Sequence, residues 1–245
     1  MSFMDQYKLD GKVAVITGSG QGIGRGIAWG LAAAGCDVAL NARRENDLEE
    51  TARGVTERGQ EALVFVSDIR DRSEELADLT MEKFGKIDIW VNNVGGSDEK
   101  NTRTLIATPD EIFRSQLELN LTTAFQGAKA AAKKMKDGGC IINIASGAGM
   151  RGSPYTGPYA AAKAGVIAFT INDKVPAIEG ELYVSIDRVR ENATTFNASI
   201  DKELKRVISH GVLHLVGLDD SSSAEKKEMT KYEDRYINSV GTIIG

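Results

Sequence analysis

Short apolar runs alternate with longer amphipathic segments over the first two thirds of the chain. The runs are rich in β-branched residues and predict buried strands in KVAVITG (12–18), DVALNAR (37–43), EALVFVSD (61–68), KIDIWVNNVG (86–95) and GCIINIAS (139–146). The segments between them have helical spacing, as in GIGRGIAWGLAAAG (22–35), which Gly35 would terminate, and in the long stretch 109–135. Strands that alternate with helices of this length predict an α/β protein with a parallel, doubly wound sheet.

The composition sets outer limits on the class of protein. The 245 residues are 42% hydrophobic and 27% charged, as in an ordinary globular protein, and the net charge of -5 argues against reliance on non-specific phosphate binding. Cys36 and Cys140 form no disulfide framework, which favours a reducing compartment. The first residues are too polar for a signal peptide, and no apolar run approaches the roughly 20 residues of a membrane helix. We therefore expect a soluble cytoplasmic protein with no membrane partner.

A glycine-rich turn follows the first predicted strand and reads TGSGQGIG (17–24). Gly18, Gly22 and Gly24 would let the backbone approach a pyrophosphate, whose charge is stabilised at the N-terminus of the next helix. Glycines in such a turn often serve packing alone. The strand–turn–helix context is what raises the nucleotide-binding interpretation above that alternative.

The end of the second predicted strand indicates which dinucleotide would bind. An acidic side chain there would bond the ribose 2′-hydroxyl of NAD, but this strand ends in Asn41, Ala42, Arg43 and Arg44. A guanidinium suits a 2′-phosphate that a carboxylate would repel, so the sequence favours NADP(H). The alternative is a pair of solvated surface arginines.

Tyr159 and Lys163 stand four residues apart in a predicted helix and share a face, and Ser146 ends the strand before them. A lysine ammonium beside a tyrosine favours the phenolate, which lets the phenol move protons to a carbonyl near neutral pH. Such a pair is usually only a surface feature. Here a complete nucleotide motif precedes it, which favours a catalytic role.

Taken together, these motifs make residues 8 to about 170 resemble the classical short-chain dehydrogenase/reductase family. The resemblance implies a Rossmann fold and hydride transfer between a nicotinamide and a small-molecule carbonyl or alcohol. Ser146 would bond the substrate oxygen, and Tyr159 would act as general acid or base. Lys163 would hold the nicotinamide ribose and favour the phenolate, while Asn120 would anchor a proton-relay water.

The residues expected to bind the cofactor lie in the glycine turn and at the ends of the strands. They are Thr17, Gly18, Ser19, Gly22, Ile23, Gly24, Arg43, Asp68, Ile69, Asn92, Gly95, Tyr159 and Lys163. Family members are commonly tetramers built on the helices that hold residues 117–125 and Tyr159, so a homo-oligomer is expected. The contacts of the family's usual last helix and strand are missing, which leaves a dimer or a monomer as alternatives.

The resemblance stops inside a helix, after AGVIAFT (164–170). The family would continue into a sixth strand and a Pro-Gly loop over the nicotinamide, but no Pro-Gly dipeptide occurs in the rest of the chain. We therefore divide the chain into an NADP(H)-binding Rossmann domain, residues 1–170, and an atypical C-terminal α+β segment, residues 171–245. Strands are expected in GELYVSI (180–186) and NSVGTIIG (238–245).

The C-terminal segment resembles a second family. GELYVSIDRVRENA (180–193) and HGVLHLVGLDD (210–220) are similar to the C-terminal half of the YbeY-type rRNA maturation endoribonucleases, over residues 178–237. The resemblance implies a Zn²⁺ site with His210, His214 and Asp220 as ligands, the last in a place where the family more often has histidine. Three ligands would leave one position for an activated water. Ser222 and Glu225 have the spacing of a capping box at the start of a final helix.

Three functions stay open at this point. An NADP(H)-dependent oxidoreductase is favoured, because all four catalytic positions are present. A zinc-dependent, single-strand-specific endoribonuclease acting on RNA is the alternative, although residues 171–245 carry 10 Lys and Arg against 13 Asp and Glu and lack the family's N-terminal half. The third is a non-catalytic, cofactor-binding chimera.

Overall fold

The computed structural model describes residues 8–97, 103–151, 155–169, 186–215 and 220–239. Its sheet contains strands β1 (Val13–Thr17), β2 (Asp37–Ala42), β3 (Ala62–Val66), β4 (Ile89–Asn92) and β5 (Cys140–Asn143). The described strands are all parallel and lie in the order β3-β2-β1-β4-β5. The chain thus builds outward from β1 in one direction and then returns to build in the other. Each strand lies within a predicted run, and the doubly wound sheet is confirmed.

Helices fill the connections between the strands. They are α1 (Gly22–Ala33), α2 (Glu45–Thr56), α3 (Ser73–Phe84), α4 (Asp110–Leu117), α5 (Thr123–Lys134) and α6 (Gly157–Phe169). A π-helical turn, Glu118–Thr122, joins α4 to α5, so the long helical stretch is interrupted near its middle. The first helix ends as predicted, because Gly35 takes a φ of +108° that other residues rarely adopt.

The hydrophobic core covers both faces of the sheet. On one face Val15 and Trp90 pack with residues of α3 and α5. On the other face Ile16 and Leu40 pack with residues of α1 and α2, among them Leu48 of α2. Polar side chains also enter the core where β4 and β5 end. Asn92 lies opposite Asn143 in the register of these strands, and its Nδ2 donates to Oδ1 of Asn143 at 2.8 Å.

The described part of the C-terminal segment is helical. Its helices are α7 (Ile186–Thr195), α8 (Ile200–Leu215) and α9 (Ser223–Ser239). The predicted capping box is confirmed, because the Glu225 amide donates to Ser222 Oγ at 3.2 Å and the Ser222 amide donates to Glu225 Oε2 at 2.7 Å. The predicted strands of this segment lie largely outside the described residues; where they overlap them, the chain is helical.

Among the helices that the structure describes, none is both long and apolar enough to cross a membrane.

Candidate active site

The glycine-rich turn is held against the end of β4. Thr17 is buried, and its Oγ1 accepts from the amides of Asn93 and Val94 at 3.1 and 3.2 Å. The Asn93 side chain returns two bonds of 3.0 Å to the carbonyl oxygens of Thr17 and Gly18. Gly18 has a φ of +67°, which favours glycine at this turn. No local sequence pattern predicts this role of Asn93, because an asparagine at a strand end does not reveal its partners.

Helix α1 approaches this turn so closely that only glycine fits at position 24. A Cβ on Gly24 would lie 2.3 Å from the carbonyl oxygen of Gly18 and 2.5 Å from Nδ2 of Asn93. Gly22 begins the helix with a φ of +55°, and a Cβ there would meet no atom of the described residues within 4 Å. The N-terminus of α1 therefore faces open space beside a glycine turn, the arrangement that fits a pyrophosphate.

Arg25 holds the turn in place, a role that no motif in the sequence predicts. Its guanidinium donates to the carbonyl oxygen of Gly20 at 2.5 Å, to Oγ1 of Thr51 at 3.1 Å and to the carbonyl oxygen of Asp47 at 3.2 Å. It also forms an ion pair of 2.9 Å with Glu50. The side chain thereby ties the glycine turn to α2, so that the cradle is held by two elements.

Ser19 ties the same turn to the end of β2. It is fully buried, its amide donates to the carbonyl oxygen of Asn41 at 2.8 Å, and its Oγ accepts from the Asn41 amide at 3.0 Å. The buried Asn41 side chain donates to the carbonyl oxygens of Phe65 and Ser67, both at 3.1 Å. Ser19 and Asn41 thus brace the cradle from beneath.

The two arginines after β2 have different surroundings. Arg44 is engaged, since it bonds Oε1 of Gln21 at 2.5 Å and pairs with Asp47 at 2.5 Å. Arg43 is exposed and lies near Asp68. A hydrogen bond from Arg70, at 2.6 Å, is the main cause that lowers the pKa of Asp68, with the charge of Arg43 contributing less. Of the two arginines after β2, Arg43 is therefore the one whose exposed guanidinium could meet a ligand at the ends of β2 and β3.

Two further residues assigned to the cofactor have buried side chains. Ile69 is 2% exposed and packs in the core. Asn92 is 4% exposed, and its Oδ1 accepts from Nε1 of Trp90 at 2.8 Å. Their contacts with the described residues are structural, so a role in binding the cofactor stays a prediction for both.

Asn120 sits in the π-helical turn and bonds the loop after β4. Its Oδ1 accepts from the Gly96 amide at 2.8 Å, and its Nδ2 donates to the carbonyl oxygens of Gly96 and Gln116, both at 3.1 Å. It is fully buried. A π-helical turn displaces side chains from the regular helical path, and such turns are frequent at functional sites. Gln116, also buried, is a supporting residue that no motif in the sequence predicts.

Lys163 meets the same loop at Gly95, close to Asn120. A Cβ on Gly95 would lie 2.7 Å from Oδ1 of Asn120 and 2.9 Å from Nζ of Lys163, so a larger residue would push both side chains away. The ammonium lies 6.0 Å from the centre of the Tyr159 ring. Lys163 is 4% exposed, and this burial lowers its pKa to about 8. The predicted catalytic lysine is thus brought together with Gly95, Asn120 and Tyr159.

Ser146 joins this group through the turn after β5. Its Oγ accepts from the Ala148 amide at 3.2 Å and caps the 3-10 turn Gly147–Gly149. Lys163 donates to the carbonyl oxygen of Ile144 at 2.7 Å, two residues before Ser146. A Cβ on Gly149 would lie 2.7 Å from the backbone of α6. The close approach of α6 to this turn therefore holds the serine near the helix of Tyr159.

The predicted zinc ligands lie on and after α8. Nδ1 of His210 is 2.8 Å from Oε1 of Glu233, a buried carboxylate on α9 that also accepts from Arg206 at 3.1 Å. The side chain of His214 lies outside the described residues, and Asp220 is half-buried. No group of three or more His, Cys, Asp or Glu side chains that could hold a metal occurs among the residues described. The zinc site stays a prediction.

Two family models match the chain, in the places that the sequence motifs indicate. The short chain dehydrogenase model matches residues 12–186, and the Endoribonuclease YbeY model matches residues 159–241. Both resemblances are therefore confirmed, and they overlap around α6.

Individual relatives extend over the same front part of the chain. The 3-oxoacyl-[acyl-carrier-protein] reductase of Synechocystis sp. is 37% identical over 167 residues, which is 66% of each protein. A short-chain type dehydrogenase/reductase from Mycobacterium marinum has a TM-score of 0.65 at 34% identity, covering 69% of this chain and 70% of that one. Carveol dehydrogenase from Mycobacterium avium, in complex with NAD, has a TM-score of 0.62 at 31% identity, covering 66% and 64%.

The chain spans about two thirds of the length of the curated relatives it matches. Because the dehydrogenase model spans residues 12–186, well over half of the 245 residues, the chain belongs to the short chain dehydrogenase family of oxidoreductases.

Proposed function

We propose that the protein is an NADP(H)-dependent oxidoreductase that interconverts a small-molecule carbonyl and the corresponding alcohol. The convergence of Asn120, Lys163 and Tyr159 around Gly95 carries this proposal. The loop that joins them continues directly from Asn93, which holds the glycine cradle. A cofactor bound in that cradle would therefore extend toward the catalytic group.

The cofactor would supply or accept the hydride, and this chain's residues would bind it and handle the proton. The open N-terminus of α1 at Gly22 fits the diphosphate, and the exposed guanidinium of Arg43 fits a 2′-phosphate. Lys163 would hold the ribose of the nicotinamide. These assignments place the adenosine end at β2 and the reacting end at α6.

Proton transfer would use Tyr159, with Ser146 orienting the substrate oxygen by a hydrogen bond. Lys163 lies beside this tyrosine, with its Nζ 6.0 Å from the centre of the Tyr159 ring. With a pKa near 8 it is largely an ammonium at neutral pH, so the pair is suited to acid–base work there. The bonds of Asn120 to Gly96 and Gln116 keep the loop beside this pair in place.

Arg43→Ala is expected to raise the Kd for NADPH about ten- to hundredfold and to leave the Kd for NADH nearly unchanged. A charge-assisted bond to phosphate is worth roughly 1.5–3 kcal/mol, and NADH lacks that phosphate. Both constants can be measured by energy transfer from tryptophan to the reduced nicotinamide. Arg53→Ala, on the exposed side of α2, controls for the lost charge. Equal losses for NADH and NADPH would contradict the role of Arg43.

The proposal includes assembly into a homo-oligomer, a tetramer or a dimer, in the cytoplasm. Phe113 on α4 and Phe125 on α5 are 42% and 51% exposed, and apolar side chains of this size are often covered by a second subunit. Cys36 and Cys140 are both free thiols, in keeping with a reducing compartment.

A second candidate is zinc-dependent RNA hydrolysis by the C-terminal segment, favoured by the pairing of His210 with Glu233. An ionised carboxylate only accepts hydrogen bonds, so it fixes the proton on Nδ1, as carboxylates do beside the histidine ligands of zinc sites. Under this candidate the purified protein carries about one zinc per chain by mass spectrometry, and His210→Ala carries almost none. Lys231→Ala, exposed on α9, is the control. Absence of zinc from the purified, unsubstituted protein would contradict this second candidate function.

A further inference from the structure

The C-terminal helices pack against a side chain of the cofactor cradle, Ile23. Val189 of α7 and Leu204 of α8 are almost fully buried and form an apolar cluster against which Ile23 packs, together with Val207 and Ile208 of α8. Ile23 lies in the first turn of α1, between the cradle glycines Gly22 and Gly24. The C-terminal segment therefore reaches the part of the Rossmann domain where a diphosphate would bind.

The helices border the cradle and do not fill it. A Cβ on Gly22 would meet nothing within 4 Å in the described part of the chain, although Ile23 beside it is partly covered. The same holds at Gly96, next to Asn120, where a Cβ would also find open space among the described residues. Among the described residues, both ends of the proposed cofactor path, at Gly22 and at Gly96, therefore leave room for a ligand.

Helices α7 and α8 are joined by a side-chain hydrogen bond. Nδ2 of Asn192 on α7 donates to Oε1 of Glu203 on α8 at 3.1 Å, and Glu203 is 4% exposed. Ser199 between the helices caps α8, since its Oγ accepts from the Lys202 amide at 3.1 Å. Ile23 therefore packs against two helices that are themselves joined by a side-chain hydrogen bond.

We propose that α7 and α8 form a wall of the cofactor cleft, with Val189 and Leu204 as positioning residues that hold Ile23 and the first turn of α1 in place for the diphosphate of NADP(H). This inference rests on the proposed function. The wall also removes water from one side of the cleft, which strengthens the interactions of the α1 amides with a bound anion. With this wall, the atypical C-terminal segment would take part directly in cofactor binding.

Leu204→Ala separates this role from general stability. We expect it to raise the Kd for NADPH about tenfold, because Ile23 loses the side chain that holds it, and to leave the Kd for 2′-AMP within about twofold. The second ligand has the adenosine and the 2′-phosphate but no diphosphate. Leu204→Met should restore NADPH binding. The matched control is Met229→Ala, which removes a side chain just as buried from α9, and it should leave both constants near those of the parent.

A second measurement keeps the test independent of the mutant's folding. In the full-length parent, saturating NADPH should slow amide hydrogen exchange in residues 189–207, since the wall packs against the occupied cleft. Unchanged exchange there, or equal effects of Leu204→Ala on NADPH and 2′-AMP, would overturn the wall alone while the parent still binds NADPH. A parent that binds neither ligand would overturn the proposed function, and the wall with it.

Discussion

Tyr159→Phe is expected to lower kcat about 10²- to 10⁴-fold, the range for loss of a positioned general acid or base. The phenyl ring keeps the shape of the side chain beside Lys163 and removes only the hydroxyl that would carry the proton. The Kd for NADPH should stay within about twofold, because the diphosphate and the 2′-phosphate are held elsewhere. The measurement is NADPH oxidation at saturating cofactor with a panel of ketones and aldehydes.

Tyr232→Phe is the matched control for this variant. Its hydroxyl lies on α9, 3.1 Å from a carboxylate oxygen of Glu228, and is remote in sequence from every predicted catalytic position. Turnover should be unchanged. If Tyr159→Phe oxidised NADPH as fast as the parent, the role of the tyrosine would be wrong, whatever its cofactor affinity.

Gly24→Ala should abolish measurable NADPH binding and destabilise the domain by about 1–3 kcal/mol, as overpacked sites do. The added methyl group would lie 2.3 Å from a backbone carbonyl oxygen, so α1 or the glycine turn must move. Asn93 after β4 and Asn41 of β2 both bond that turn, which leaves the helix as the element that shifts. Cofactor titration and urea unfolding of the same preparations would record both effects.

Gly59→Ala tests whether the loss is specific to the cradle. Gly59 also has a positive φ, +82°, but a Cβ there would meet no described atom within 4 Å. Strain of the left-handed backbone should cost about 1–2 kcal/mol without any change in NADPH affinity. Equal cofactor binding by Gly24→Ala and the parent would contradict the proposed cradle.

The strands could be predicted because a parallel sheet buried on both faces requires continuous apolar runs. In β1 every residue from Val13 to Thr17 is buried, and the sequence VAVIT reflects this directly. The glycine turn was equally visible, since close backbone approach leaves few other choices at Gly24. Such features follow from neighbours in the chain, or from a single steric requirement.

Other features of the candidate site depend on contacts between distant residues and leave no local signal. Arg25 looks like any exposed arginine of an amphipathic helix, yet its guanidinium reaches the backbone of Gly20 and Asp47. The different surroundings of Arg43 and Arg44 depend on where Gln21 and Asp47 lie in space. The packing of Ile23 against the cluster of Val189 and Leu204 joins positions more than 160 residues apart. No sequence period could indicate it.

The amide pair of Asn92 and Asn143 has a consequence for how the edge of the sheet assembles. A single hydrogen bond of 2.8 Å joins these side chains only when β4 and β5 are aligned as they are. A slip of one residue would set Asn92 against an isoleucine and leave a buried amide without its partner, at a penalty of roughly 1–3 kcal/mol. The same slip would shift Ser146 about 3.3 Å along the strand axis and so change its position relative to α6. The hydrogen bond between Asn92 and Asn143 thus fixes the register of β5, and with it the distance between Ser146 and Tyr159.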